Sequence, residues 1–96
     1  MPFEVVTSRS GAAGTSYTFT KDYSLVIVAI GGEAAGSVSK VSGSCTVTSV
    51  GSYGTSYSGE WYGLTVYKIT DVTAGDKVSV SWRSGHYCGY AFLGFE

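Results

Sequence analysis

The side chains that could do chemistry in this chain are few and scattered. Its one histidine, His86, stands two residues before Cys88, and the only other thiol is Cys45. A metal centre draws on clustered His, Cys, Asp and Glu, and two ligands on one strand face do not make a site. Nucleophilic catalysis would pair Cys88, or Cys45 brought near by folding, with that single imidazole, and no Gly-x-Ser-x-Gly elbow is present. Among the carboxylates, Asp71 and Asp76 flank one turn, where Asp commonly bonds the backbone, and Glu60 stands alone before Trp61. Gly31-Gly32 follows an apolar run but lacks the Gly-Lys-Ser/Thr ending and the helix of a phosphate loop, so it reads as a turn. His86 reads as closing the turn after Gly85. The inventory predicts no catalytic residue, no metal and no cofactor.

Composition narrows the partners. Charged residues make up 14% of the 96 residues, the net charge is −1, and Arg9, Lys21, Lys40, Lys68, Lys77 and Arg83 are dispersed singly. Nucleic-acid binding calls for a basic stripe that displaces counterions, so no nucleic-acid partner is expected. The chain has no Asn and no Gln, which removes the amide readers of sugar hydroxyls and adenine edges and any N-glycosylation acceptor. The first residues, MPFEVV, lack the charged and long apolar regions of a secretory signal. The longest apolar run, Leu25 to Ile30, is too short to cross a bilayer, so a chain made in the cytoplasm with no membrane partner is expected. In that compartment Cys45 and Cys88 are expected as buried free thiols; a bridge between them is the alternative.

The elements that must position these groups are strands. No window keeps helical periodicity, whereas β-branched and aromatic residues recur in short runs between Gly and Ser. About eight antiparallel strands are predicted in a single all-β domain, a two-sheet, jelly-roll-like sandwich. They fall near Phe3 to Thr7, Ser16 to Thr20, Leu25 to Ile30, Val38 to Ser42, Cys45 to Val50, Trp61 to Ile69, Lys77 to Trp82 and Tyr87 to Phe95. The segment ITDVTAGDKVSVSW reads as a β-hairpin corner, with Gly75 supplying a positive φ and Val78, Val80 and Trp82 alternating with polar residues. Its polar alternate face marks Lys77 to Trp82 as an ordinary outer strand. Leu64 and Val66 lie on one parity and Tyr67 and Ile69 on the other, which predicts a bulge near Tyr67 or two shorter strands.

Two strands carry no polar face. Leu25 to Ile30 is apolar throughout and reads as central, with one face against the second sheet and the other under a loop or a neighbouring subunit. The last strand has Tyr87, Leu93 and Phe95 on one parity and Tyr90 and Phe92 on the other, more bulk than a small interior holds. Tyr87, Tyr90, Phe92, Leu93, Phe95, Leu25 and Ile27 are therefore the candidate assembly interface. A second candidate is the loop from Gly51 to Gly59 leading into Trp61, in which Tyr53, Tyr57, Trp61 and Tyr62 could stack on a sugar, with Asp76 or Arg83 as the candidate for its polar rim. The missing amides weigh against that glycan-binding alternative.

The segments SYTFTKDYSLVIVAIGG and ITDVTAGDKVSVSW and the closing strand GYAFLGFE together resemble short all-β domains of tailed bacteriophages, of the capsid decoration, head-fibre or tail-fibre type. The resemblance lies in strand and turn layout and carries no functional residue across. It implies a non-enzymatic virion structural protein, synthesised in the host cytoplasm, whose partners are virion proteins or copies of itself, with trimers common in such modules. A cell-surface glycan is the partner in the alternative reading.

Overall fold

The computed structural model describes residues 3–11 and 14–96, which form eight strands and no helix. They are β1 (Phe3–Gly11), β2 (Thr15–Thr18), β3 (Tyr23–Gly32), β4 (Gly36–Ser42), β5 (Thr46–Tyr57), β6 (Glu60–Val72), β7 (Lys77–Trp82) and β8 (Cys88–Phe95). A five-stranded sheet has the order β1-β8-β3-β6-β5, and a three-stranded sheet the order β2-β7-β4, with antiparallel pairing throughout. The chain passes between sheets at every connection but one, which is the interleaving of a jelly roll. The departure is β5, which turns back on β6 in the larger sheet instead of extending the smaller sheet beside β4.

Alternation fills the space between the sheets. Val26, Val28 and Ile30 of β3, Ile69 of β6, Tyr90 and Phe92 of β8, and Val78 and Val80 of β7 are all buried. The connection between β2 and β3 adds Phe19, whose ring lies 6.0 Å from Phe92, while Tyr17 meets both rings edge-on at 5.2 and 5.7 Å. Tyr23 closes this end; burial, and its bond to the Glu4 carboxylate, push its phenol up to about 12. Lys21 bridges Glu4 at 2.7 Å and Glu96 at 2.8 Å, tying β1 and the residue after β8 to the β2–β3 connection. These charges are exposed, so the tie contributes little to stability.

Four expectations change. The Ile69 to Trp82 segment is not a hairpin: its two strands lie in different sheets, and β7 is the middle strand of the smaller one. Its turn is as expected, with Gly75 at φ 98 and the Asp76 amide donating to the Thr73 carbonyl, and Asp71 stands at φ 57 near the end of β6, one residue before Val72, which still pairs with Tyr23. Second, β6 is one continuous strand with an unbroken register against β3, so Leu64 and Val66 face outward while Tyr67 and Ile69 face inward. The bulge sits across from it in β5, between Ser49 and Gly51. Third, the Gly51 to Gly59 loop is the distal half of β5 with its turn. Ser58 and Gly59, at φ 51 and 80, form a two-residue turn with both central residues left-handed, the type I′ geometry of tight hairpins. Fourth, Tyr90 and Phe92 belong to the core, 6% and 0% exposed, and are unavailable to an interface.

Cys45 and Cys88 are free and buried at opposite ends of the sandwich. Cys88 is level with Gly32, and Cys45 adjoins Thr46, which is level with Leu25 through Thr70. Seven steps along β3 separate those levels, roughly 23 Å at the rise of a strand, where a disulfide needs Cα atoms about 6 Å apart. Both thiols are expected to resist a thiol reagent in native buffer and to react fully in denaturant; rapid native labelling would contradict this placement.

Candidate functional site

Two surfaces stand out, one on each side of the larger sheet. Since directly opposed residues in an antiparallel ladder share a face, the register maps the outer one. Leu25 pairs with Phe95 and Thr70, Ile27 with Leu93 and Lys68, and Ala29 with Ala91 and Val66. The rows extend to Phe3 and Val5 on β1 and, through Leu64, to Tyr53 on β5. Phe3, Val5 and Tyr53 are 60–61% exposed. Among the described residues of these rows, from Leu25 to the pair Thr55–Tyr62, Lys68 is the only charged side chain. A shallow trough floored by Ala29, Gly89 and Ala91 and edged by Ser8, Arg9 and Ser10 of β1 lies beside these bulkier ridges.

Of the predicted interface residues, Leu25, Ile27, Leu93 and Phe95 come together here. Tyr87 precedes β8 and is exposed, away from these rows. The sequence reading misses Phe3, Val5 and Leu64, whose contribution depends on which neighbours the sheet order brings to them.

The second surface is a cleft of about 550 Å³, where the far half of the β5–β6 hairpin stands over the loops β3–β4 and β7–β8. The hairpin supplies Ser52, Ser56, Glu60 and Trp61, and the loops supply Glu33, Arg83 and His86. Trp61 occupies its position because Gly54 and Gly63 oppose each other in the ladder and leave a flat bed. A Cβ on either glycine would come within 2.6 Å of the indole, so the ring lies across both. The loop wall is fixed by its backbone. Glu33 and Tyr87 exchange two bonds of 3.1 Å, and the His86 amide donates to the Arg83 carbonyl at 3.2 Å, the turn closure expected of it. The Trp82 indole N–H donates to the His86 carbonyl at 2.8 Å. His86 Nδ1 is buried without a hydrogen-bond partner and lies 3.5 Å from a Glu60 carboxylate oxygen.

The predicted sugar platform is divided by this geometry. Trp61 faces the cleft, whereas Tyr53 and Tyr62 face the other side of the ribbon and Tyr57 sits exposed at its tip. Of the two rim candidates, Arg83 lines the cleft; Asp76 lies at the opposite end of β7, its side chain buried. Glu33 and His86 join Arg83 only through the loops, although Ser58-Gly59 between alternating runs is a sequence signal for the hairpin that builds one wall. His86 and Cys88 do not converge, since the Cys88 thiol donates inward to the Ala34 carbonyl. No group of three or more His, Cys, Asp or Glu suited to a metal ion occurs among the described residues.

Fold and surfaces together define an all-β sandwich of jelly-roll order with one open apolar sheet face and one separate cleft of aromatic and charged residues. No family model matches the chain, and no curated protein or solved structure matches it significantly.

Proposed function

We propose that this chain is a non-enzymatic assembly module that binds further copies of itself through the outer face of its larger sheet. The observation that carries the reading is the run of Phe3, Val5, Leu25, Ile27, Leu93 and Phe95 across three strands with no charge among them. A solvated sheet face alternates with polar residues; a face that meets another sheet does not. Five strands about 4.8 Å apart and about nine residues long cover roughly 24 by 30 Å. That is about 700 Å², close to the 800 Å² or so each partner contributes to a standard interface. Ridges beside a small-residue trough on one patch suit self-association, since a two-fold axis sets each copy's ridge against the other's trough. Within this reading the oligomer is an accessory subunit of a phage particle, an assignment supported by the resemblance in strand layout.

Sedimentation velocity at micromolar concentration tests the assembly. The wild-type chain is expected to sediment as an oligomer. Ile27→Glu or Leu93→Glu should convert it to a monomer with an unchanged circular dichroism spectrum, because both side chains point away from the core. A wild-type chain that remains monomeric at tens of micromolar overturns the reading.

A further inference from the structure

We infer that the cleft between the β5–β6 hairpin and the loops β3–β4 and β7–β8 binds a neutral saccharide, with Trp61 as stacking platform and Glu60, Glu33 and Arg83 as readers of its hydroxyls. All of these residues come from one chain, so the site does not depend on self-association.

The platform is preorganised. Gly54 and Gly63 hold one side of the indole, and the ring lines the cleft while staying partly exposed. A fixed aromatic plane offers the apolar C–H face of a pyranose ring a contact that costs little side-chain entropy. The polar groups suit the same ligand. Glu60 and Glu33 bring carboxylates that accept from hydroxyls, Arg83 brings only donors, and Ser52 and Ser56 do either. Glu33 accepts from the Tyr87 amide through one oxygen, so its other oxygen remains for a ligand. A sugar hydroxyl both donates and accepts, so it can use this mixture where an apolar ligand could not.

Charge selects among saccharides. The two carboxylates outnumber the one guanidinium, which disfavours sulfated, phosphorylated or carboxylated sugars. His86 is a positioning residue, placed behind Glu60 with Nδ1 turned to the carboxylate and the backbone of its turn tied by Trp82. The volume, about 550 Å³, falls within the range of small-ligand sites and suits one or two sugar rings.

The test is a printed array of neutral glucosides, galactosides and mannosides alongside sialylated and sulfated glycans, followed by calorimetric titration of the strongest ligand. Binding to neutral glycans is expected, weakened about tenfold or more by Trp61→Ala and by Glu60→Gln. Glu60→Gln keeps size and shape at a half-exposed position, so it serves even if Trp61→Ala disturbs the hairpin. Three results overturn the inference: no neutral glycan bound, acidic glycans alone bound, or binding that survives Glu60→Gln and is lost with Tyr53→Ser on the far side of the ribbon.

Discussion

Asp76→Ala is expected to lower the melting temperature by on the order of 10 °C or more, the largest effect of any polar substitution in this chain. Asp76 is 4% exposed, and its carboxylate is held by three backbone amides. One oxygen accepts from Ser44 at 3.1 Å, and the other from Cys45 at 3.1 Å and Thr73 at 3.0 Å. These bonds join the β4–β5 connection to the turn before β7, and the Asp76 carbonyl accepts from the Phe19 amide at 2.9 Å. Ala would leave three donors unpaired at a point where the two sheets meet. Asn would recover only part of this, because its amide nitrogen would oppose at least one of those N–H groups. Gly43 belongs to the same device, at φ 105 and with no Cβ to collide with the carboxylate.

The same residue predicts an acid limb. The Thr73 amide foremost, then those of Ser44 and Cys45, hold the carboxyl below its ordinary value of 3.8. A depressed pKa contributes stability that is present above the ordinary value and lost as pH falls through the folded one. Thermal unfolding should therefore vary little from pH 7 to 5 and weaken below pH 4, with a shallower decline in Asp76→Ala. Parallel acid limbs in the two proteins would refute the assignment.

Phe92→Ala is expected to cost about 3–5 kcal/mol, a large share of the 5–15 kcal/mol or so that holds a domain folded. Phe92 is wholly buried, against Phe19, Tyr17 and Tyr90 at ring distances of 6.0, 5.7 and 5.4 Å. The loss opens a cavity between two sheets that cannot close without breaking register. Leu93→Ala, one residue on and facing outward, should cost the monomer about 1 kcal/mol. Urea unfolding of both variants at low concentration separates core from interface. Equal costs, or a Phe92→Ala variant altered only in association, would contradict the assignment of Phe92 to the core.

That pair of neighbours shows how far side-chain pattern reaches. Alternation in GYAFLGFE is enough to place Phe92 and Leu93 on opposite faces, since a strand has a period of two. Which face is interior cannot be read from β8 alone, and its bulk on both parities puts Tyr90 and Phe92 in the candidate interface together with Leu93 and Phe95. The answer depends on what covers Phe92, above all Phe19 of the β2–β3 connection, which lies far away in the chain. The Tyr-rich stretch from Gly51 to Gly59 misleads for a related reason. Its Gly and Ser content resembles a loop, yet pairing with Glu60 to Val66 makes it a strand, and Gly54 opposite Gly63 has a purpose only once Trp61 lies over both.

Local chemistry is therefore decided by the sequence: eight β segments, the positive φ at Gly75, the central place of Leu25 to Ile30, and the poverty of acid–base groups. Each follows from residue type or from short-range alternation. The tertiary structure alone decides which strands share a sheet, and with that which side chains form each surface. It makes Ile69 to Trp82 a bridge between sheets instead of a hairpin, gathers Phe3, Val5, Leu25, Ile27, Leu93 and Phe95 on one face, and brings Glu33, Glu60, Trp61, Arg83 and His86 around one cleft. The physical reason is that strand partners in a jelly roll are distant in sequence, and a side-chain pattern records that a face is buried without recording by what.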